Sequence, residues 1–305
     1  MVSQYHVAVD PDAPNNAHAL MLRMVGWNKR VLELGAASGH MTAALAKQSC
    51  RVTAVEYDAE AAVGFKDVAE EVIVGDLNDP SVLDSLDERF DAIVAGDVLE
   101  HLVRPQPVLD QMVGLLAPEG RIVISLPHVA HVDVRLSLLQ GNFDYRDWGL
   151  LDSTHLHFFT FKTIRDMVRK AGLAIVDLQR TRMPAFETEL QVDRNSVSTA
   201  VVDEILRDPE AETYQFVFTA VREDAKVLVA ELSAKYDELV AEHEMLLNRS
   251  RTAEIKAADA TRQLKQQRAA RLEAEDRVAA LTNTRLFRYA RTPRRIYGLL
   301  RGRRG

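Results

Sequence analysis

Residues 31–39 form the first segment of this chain whose residue types and spacing fit a chemical task. They read Val-Leu-Glu-Leu-Gly-Ala-Ala-Ser-Gly and include Glu33, Gly35, Ala37 and Gly39. Glycine lets the backbone turn sharply and lets a ligand or a neighbouring backbone approach closely. Nucleotides bind outside the carboxyl ends of strands in open α/β sheets. The segment therefore predicts a nucleotide-type ligand, although its G-x-x-x-G spacing matches neither the dinucleotide fingerprint nor a phosphate-binding loop that ends in Gly-Lys-Ser/Thr.

Three further acidic positions follow short apolar runs. Glu56, followed by Tyr57, ends one run 21 residues after Gly35. A carboxylate at that place can accept hydrogen bonds from both hydroxyls of a ribose. The other two positions are Asp76, followed by Leu77, and Asp97. Together they predict a site for a nucleoside-containing cofactor at the ends of successive strands.

Histidines cluster in and near residues 127–160, and histidine is the natural base for taking a proton from an acceptor group near neutral pH. The candidates are His101, His128, His131, His155 and His157. We expect His155 to be the base, then His128, with Asp152 as the carboxylate that orients it. His155 and His157 would share one face of an extended segment. Two readings stay open: His155 as a structural residue of this segment, and His101 as either a base or a brace for the loop beside it.

A metal site is the alternative use of these side chains. Asp152, His155 and His157 could act as ligands of a divalent ion. We predict no metal.

An alternation of short apolar runs with helix-compatible stretches must position these residues. It predicts parallel βαβ units in a sheet covered on both faces. Predicted strands span 30–34, 51–56, 71–74, 90–95, 121–126, 173–182 and 213–221. Predicted helices span 17–25, 39–48, 59–69, 79–86, 105–116, 161–170 and 196–206. The expected fold is α/β, a Rossmann-like doubly wound sheet of seven strands with the last antiparallel, followed by a long C-terminal helix.

Three parts are predicted along the chain. Residues 1–222 form the catalytic domain, with 127–160 as a substrate lid. Residues 223–284 lack Gly and Pro and hold a heptad pattern, which predicts a long helix and a coiled coil that makes a homo-oligomer. The alternative is a solitary charged helix. Residues 285–305 form a basic, aromatic tail.

Charge and composition suggest partners and a compartment. The net charge is −7, yet residues 285–305 hold eight arginines and no acidic residue. Arginines interleaved with aromatics suit an anionic membrane surface. Nucleic acid is disfavoured because the rest of the chain is acidic. A single cysteine, no apparent signal peptide and no run of about 18 apolar residues predict a cytoplasmic protein, peripheral at the inner face of the membrane.

Glu33, Gly35 and Gly39 resemble motif I of class I S-adenosylmethionine (SAM)-dependent methyltransferases, with Ala37 in place of a glycine. The resemblance implies SAM as cofactor, its ribose on Glu56, and its adenine on Asp76 and Leu77. Residues 97–102, Asp-Val-Leu-Glu-His-Leu, resemble a segment of the ubiquinone-biosynthesis O-methyltransferases. Residues 152–160 resemble a signature of methyltransferases associated with surface-glycan or secondary-metabolite genes.

The expected function is therefore transfer of a methyl group from SAM to a hydroxyl of a small molecule or glycan, in cell-surface polysaccharide or secondary-metabolite synthesis. Oxygen is favoured over nitrogen because no Asn/Asp-Pro-Pro-Tyr-like segment follows the fourth strand. The alternative is a catalytically degenerate methyltransferase fold that serves as a scaffold on a coiled-coil spacer. An NAD(P)-dependent oxidoreductase is disfavoured by the glycine spacing.

Overall fold

The computed structural model describes residues 9–224 without a gap, and beyond them positions 239, 245, 256, 261, 263, 265–268 and 270–280. The chain divides into two compact units, Met1–Ser233 and Ala234–Gly305. The described residues from 239 onward are helical and exposed. The basic tail and most heptad positions lie outside the described residues. The coiled coil, the oligomer, the membrane contact and the boundaries at 222 and 284 stay predictions.

A seven-stranded sheet forms the centre of the first unit. The strands are β1 (Arg30–Leu34), β2 (Arg51–Glu56), β3 (Glu71–Val74), β4 (Phe90–Gly96), β5 (Leu116–Pro127), β6 (Leu173–Arg182) and β7 (Thr213–Arg222). Their order across the sheet is β3-β2-β1-β4-β5-β7-β6. The first five strands pair in parallel, and β7 runs antiparallel between β5 and β6. The predicted Rossmann-like sheet with an antiparallel last strand is confirmed.

Eight helices of the described residues connect and cover these strands. They are α1 (Ala17–Val25), α2 (His40–Lys47), α3 (Ala59–Val63), α4 (Pro80–Asp84), α5 (Pro105–Leu115), α6 (Val132–Leu139), α7 (Phe161–Lys170) and α8 (Thr199–Ile205). Side-chain oxygens accept hydrogen bonds from first-turn N–H groups, as Asn16 does in α1 and Thr160 does in α7. Such caps satisfy donors that the helix itself cannot pair, so they fix where these two helices begin.

Both faces of the sheet are buried. Val31 and Val52 pack on one side with Leu20 of α1 and Leu45 of α2. The next residues of each strand point the other way, so Leu32 lies in a second core with residues of α5 and α7. This two-sided burial explains the long apolar runs in the central strands β1, β4 and β5.

Two predicted elements differ most from their predicted extent, and one helix was not predicted. Strand β5 begins at Leu116 rather than 121, because Phe90 pairs with Leu116 and Ala92 with Arg121, and the intervening residues form a bulge. Helix 59–69 ends at Val63, where Gly64 is its C-cap. Helix α6 lies inside the predicted lid and was not predicted. No helix of the described residues is long and apolar enough to cross a membrane.

Candidate active site

A cleft of about 540 Å³ opens where β4 and β5 end. Asp97 follows β4, Pro127 ends β5, and both line the cleft. The strand order reverses direction between β1 and β4, which is where ligands bind in doubly wound sheets.

The glycine loop between β1 and α2 is shaped by left-handed backbone at three positions. The φ angles are 68° at Gly35, 48° at Ala37 and 75° at Gly39. A Cβ atom at Gly35 would lie 2.7 Å from the Val98 side chain, and one at Gly39 would lie 2.4 Å from Phe65. Both glycines are therefore required by the chain's own packing, and the close approach expected at Gly39 is to Phe65. Ala37 adopts the left-handed conformation that favours glycine. This conformation explains why a glycine is expected at position 37.

Glu56 joins this loop to the end of β2. Its Oε2 accepts a hydrogen bond from the Ala37 N–H at 2.6 Å, and its Oε1 accepts one from the Asp58 N–H at 2.8 Å. The carboxylate is 8% exposed. Each carboxylate oxygen has a second acceptor position, so the pair can still bind two neighbouring hydroxyls. Tyr57, beside it, is 75% exposed and free to contact a ligand.

Glu33 lies under the loop and is buried. The Thr42 hydroxyl donates to its Oε2 at 2.6 Å. Burial, reinforced by the charge of Glu56 and opposed by the Thr42 hydrogen bond, raises the pKa of Glu33 to about 7. Glu33 thus braces the first turn of α2, and near neutral pH its carboxyl exchanges a proton.

The next two predicted cofactor positions follow β3. The Asp76 carboxylate accepts hydrogen bonds from the Asn78 N–H and amide side chain, at 2.8 and 2.9 Å. Leu77 is buried, and Asn78 accepts a hydrogen bond from the Val103 N–H at 2.8 Å. That bond joins this turn to the one after β4. The turns after β3 and β4 therefore lie side by side, so that one ligand could contact both.

Asp97, the predicted cofactor position after β4, lines the cleft. Its backbone is left-handed, with a φ of 54°. Its Oδ1 accepts hydrogen bonds from the Ser125 hydroxyl at 2.9 Å and from the Gln215 side chain at 2.8 Å. Strands β5 and β7 therefore fix its carboxylate at the cleft wall.

Glu100, His101 and His155 form a cluster in the cleft, which we call the acceptor cluster. One ligand-type atom of each lies within 4.8 Å of the others. Glu100 is 1% exposed, and among the described residues no other residue donates a hydrogen bond to either of its oxygens. Burial, with the nearby charges of Asp97 and Asp152, raises the pKa of Glu100 well above its ordinary value.

His155 packs edge-on against His101, with ring centroids 4.8 Å apart. Burial and the neighbouring His101 lower the pKa of His155, so its ring is neutral at physiological pH and keeps a lone pair. The predicted base therefore lies in the cleft beside a second histidine. Its role as base stays a prediction.

Asp152 does not orient His155 as predicted. Its Oδ1 accepts hydrogen bonds from the Thr154 N–H and hydroxyl, both at 2.7 Å. The Thr154 hydroxyl lies 3.1 Å from Nδ1 of His101, and the Thr154 carbonyl lies 3.3 Å from the same nitrogen. The carboxylate of Asp152 thus acts on His101 through Thr154. It lies near His155 as well, where its charge raises the pKa.

The other three candidate histidines, His128, His131 and His157, lie outside the cleft lining. His128 is buried against Phe216, with ring centroids 4.8 Å apart, so our second choice for the base does not face the cleft. Burial lowers the pKa of His128 to about 4. His131 caps α6 by accepting the Asp133 N–H. His157 contacts the Val103 carbonyl at 3.2 Å and does not share a face with His155, because their segment is not extended.

Sequence reasoning missed three contributors to the site. Glu100 was visible as the single charge between the apolar residues 98–99 and 102, yet an isolated glutamate gives no sign of burial. Thr154 and Gln215 reach the site through contacts with residues 53 and 118 positions away. No local pattern could have indicated those contacts.

With this geometry in place, comparison with known proteins identifies the family. The sequence model of the family described as "Methyltransferase domain" matches residues 13–178, more than half of the chain. The chain belongs to this family. The sequence-based recognition of a class I SAM-dependent methyltransferase is confirmed, with SAM as the cofactor. The two carboxylate oxygens of Glu56 and the close-packed glycine loop fit that cofactor.

Several methyltransferases resemble the chain. A ubiquinone biosynthesis O-methyltransferase of Xylella fastidiosa (strain 9a5c) is 28% identical over 176 residues, which are 55% of this chain and 71% of the relative. A demethylmenaquinone methyltransferase of Clavibacter sepedonicus is 32% identical over 102 residues, 32% of this chain and 40% of the relative.

Solved structures resemble the chain at lower identity. A SAM-dependent methyltransferase from Archaeoglobus fulgidus aligns at a TM-score of 0.49 and 18% identity, covering 67% of this chain and 91% of that one. Burkholderia thailandensis 1,6-didemethyltoxoflavin-N1-methyltransferase aligns at 0.45 and 23% identity, covering 70% and 80%.

Proposed function

We propose that this methyltransferase transfers its methyl group to a hydroxyl oxygen of a small molecule, and that the hydroxyl loses its proton at the acceptor cluster. The observation that carries the proposal is the position of Glu100, His101 and His155 in one cleft with Asp97, the predicted cofactor position after β4. Support for oxygen comes from the resemblance to ubiquinone biosynthesis O-methyltransferases.

The walls of the cleft favour an aromatic acceptor. Pro127, Trp148, Met183 and Tyr214 line it, and Trp148 is half exposed. Apolar walls with a few convergent polar groups are typical of small-molecule sites. A phenolic hydroxyl suits this site since its ring would pack on these side chains while its oxygen faces the acceptor cluster. The relatives named above give no support to the predicted glycan acceptor.

The chain's own residues have three tasks in this reaction. Bound SAM supplies an electrophilic methyl group on a sulfonium, and loss of that methyl leaves a neutral thioether. The glycine loop and Glu56 hold the nucleoside part in one position, since both are fixed by hydrogen bonds. The cleft walls bring the acceptor oxygen into line with the methyl group, which lowers the entropic part of the barrier. The acceptor cluster removes the hydroxyl proton, a step that typically contributes 10²- to 10⁴-fold, an order-of-magnitude range.

The scaffold alternative gains no support from the position that suggested it. Ala37 takes the left-handed conformation expected for a glycine, and its N–H binds Glu56. The alanine therefore keeps the backbone conformation of the loop and its hydrogen bond to Glu56.

Methyl transfer from radiolabelled SAM to a panel of phenols, alcohols and amines tests the proposal. We expect label on oxygen, and we expect His155→Ala to lower kcat by about 10²-fold or more while the affinity for S-adenosylhomocysteine is unchanged. His157→Ala is the matched control, because that ring lies outside the cleft lining, and it should keep full activity. Label found only on nitrogen or carbon, or full activity in His155→Ala, would contradict the proposal.

A further inference from the structure

Glu100 is a buried carboxyl group whose two oxygens have no hydrogen-bond donor from another described residue. A buried carboxylate normally has hydrogen-bond or ionic partners, because its desolvation costs several kcal/mol. Among the described residues, no other side chain or backbone N–H donates to its oxygens. Nearby are more carboxylates, Asp97 and Asp152, rather than a lysine or arginine. Three carboxyl groups therefore lie close together, and the buried one has no hydrogen-bond donor from another described residue.

The two histidines beside Glu100 are held as metal-ligating histidines are. The ring of His101 contacts the Thr154 carbonyl through Nδ1 at 3.3 Å. The ring of His155 hydrogen-bonds to the main chain at Leu150. A carbonyl partner on one ring nitrogen sets the tautomer and leaves the lone pair on the other nitrogen, as in most protein metal sites. Thr154 is in turn bound by Asp152, so the support extends one residue further.

We propose that Glu100, His101 and His155 bind one divalent transition-metal ion, which coordinates the acceptor hydroxyl and lowers its pKa. This inference rests on the proposed function, since the ion's task is to activate the acceptor oxygen. Two imidazoles and a carboxylate suit Zn²⁺, Co²⁺, Mn²⁺ or Fe²⁺ better than Mg²⁺ or Ca²⁺, which prefer oxygen ligands. Three protein ligands leave at least one position for the substrate, as in catalytic zinc sites.

The geometry requires a small adjustment. The three ligand atoms lie within 4.8 Å of one another. Ligands of a tetrahedral ion with bonds of roughly 2.0–2.1 Å lie about 3.3 Å apart. Binding would therefore draw the groups inward by on the order of 1 Å, within reach of side-chain rotation. With the ion bound, the three side chains act as its ligands and not as the base. The hydroxyl, acidified by the ion, loses its proton to solvent, and the oxygen that remains accepts the methyl group.

This trio differs from the one considered from the sequence. Asp152 binds Thr154, and His157 contacts the Val103 carbonyl outside the cleft lining. Of those three residues, His155 alone belongs to the acceptor cluster. The cluster gains Glu100 and His101 instead.

Co²⁺ and Zn²⁺ binding to the full-length, EDTA-dialysed protein tests the site without relying on activity. We expect one Co²⁺ per chain, with the visible absorption of a four- or five-coordinate ion, and displacement by Zn²⁺ in calorimetry. Glu100→Gln and His155→Ala should each weaken Zn²⁺ binding at least 100-fold. His157→Ala should bind as the unaltered chain does, because it removes a histidine outside the acceptor cluster.

Folding of the variants is checked independently. Glu100→Gln removes an unpaired buried carboxylate, so it should melt no lower than the unaltered protein in the absence of metal. Each variant should also bind S-adenosylhomocysteine with unchanged affinity, because the residues exchanged are not among the predicted cofactor positions. A bound ion that survives both substitutions would place the metal elsewhere and overturn the proposal.

Activity measurements separate this proposal from the proposed function. We expect methyl transfer to phenols to be lost in EDTA and restored by Zn²⁺, Co²⁺ or Mn²⁺. Full transfer in EDTA, with no Co²⁺ bound at millimolar concentration, would overturn the metal site and leave the O-methyltransferase standing. One ion bound at the acceptor cluster, with no methyl transfer to any hydroxyl, would support the site and contradict the proposed function.

Discussion

The two sides of the site differ in how their carboxylates are paired. On the cofactor side, Glu33, Glu56 and Asp76 each accept hydrogen bonds from the chain itself. On the acceptor side, Glu100 is as deeply buried as Glu33 but receives none from another described residue. The carboxylates of the cofactor side have hydrogen-bond donors without a ligand. The carboxyl of Glu100 gains a donor or a cation only when a ligand binds.

The difference shows where free energy is stored. Backbone N–H donors hold the Glu56 carboxylate in place before the cofactor binds. Binding therefore loses little side-chain entropy at Glu56. Glu100 destabilises the unliganded fold, because burying an unpaired carboxyl costs at least about 1–3 kcal/mol. That cost is recovered when a cation or donor arrives, which makes the acceptor side selective for ligands that supply one.

The largest expected effect that tests the comparison comes from Glu56→Ala. The substitution removes the acceptor for both ribose hydroxyls and for the Ala37 N–H. Charge-assisted hydrogen bonds contribute roughly 1.5–3 kcal/mol each, so the Kd for S-adenosylhomocysteine should rise about 100-fold or more. Isothermal titration calorimetry measures it. Glu60→Ala, an exposed glutamate four residues on, is the matched control and should bind normally. An unchanged Kd in Glu56→Ala would remove the cofactor site from this loop.

An intermediate effect is expected from the pH dependence of folding at Glu33. Its pKa is raised to about 7 in the folded chain from an ordinary value of 4.5. Between these values the folded state holds a proton that the unfolded state has lost, so stability falls as pH rises through that window. The free energy of unfolding without ligand should drop by roughly 3 kcal/mol from pH 4.5 to pH 7 on account of this residue.

Glu33→Gln isolates this contribution. A glutamine can still accept the Thr42 hydroxyl but does not titrate, so urea unfolding of the variant should lose the fall in stability over this range. Parallel stability curves for Glu33→Gln and the unaltered chain between pH 5 and 7.5 would show that Glu33 keeps its charge.

The cofactor side could be predicted from the sequence because its signals are local. The bounds of β1, β2 and β3 were predicted to the residue, since each is an apolar run that ends at an acidic or glycine position. Glu56 binds Ala37, which the pairing of β1 with β2 brings close, and Asp58, which is two residues further along the chain. Periodicity and turn residues suffice for such contacts.

The acceptor side could not be predicted in the same way because its contacts are long-range. His101 meets Thr154 and His155 only after the segment following α6 folds back over the end of β4. Spacing alone suggested Asp152 and His157 as partners of His155, and the irregular backbone there assigns them elsewhere. The burial of Glu100 depends on that same return of the chain, which brings the backbone of residues 156 and 157 to its carbonyl.

The smallest expected effect concerns the support of His101. Thr154→Val keeps the shape of the side chain but removes the hydroxyl that links Asp152 to His101. Outer partners of ligating or catalytic histidines typically contribute about 10- to 100-fold, and we expect the lower end because the Thr154 carbonyl contact remains. The kcat should fall about 10-fold with KM for SAM unchanged, and Thr154→Ser should restore it, because serine supplies the same hydroxyl. Ser153→Ala, which alters the neighbouring hydroxyl, should be indistinguishable from the unaltered chain. Equal losses in Thr154→Ser and Thr154→Val would show that packing, rather than the hydroxyl, positions His101, and the acceptor side would then be as self-supporting as the cofactor side.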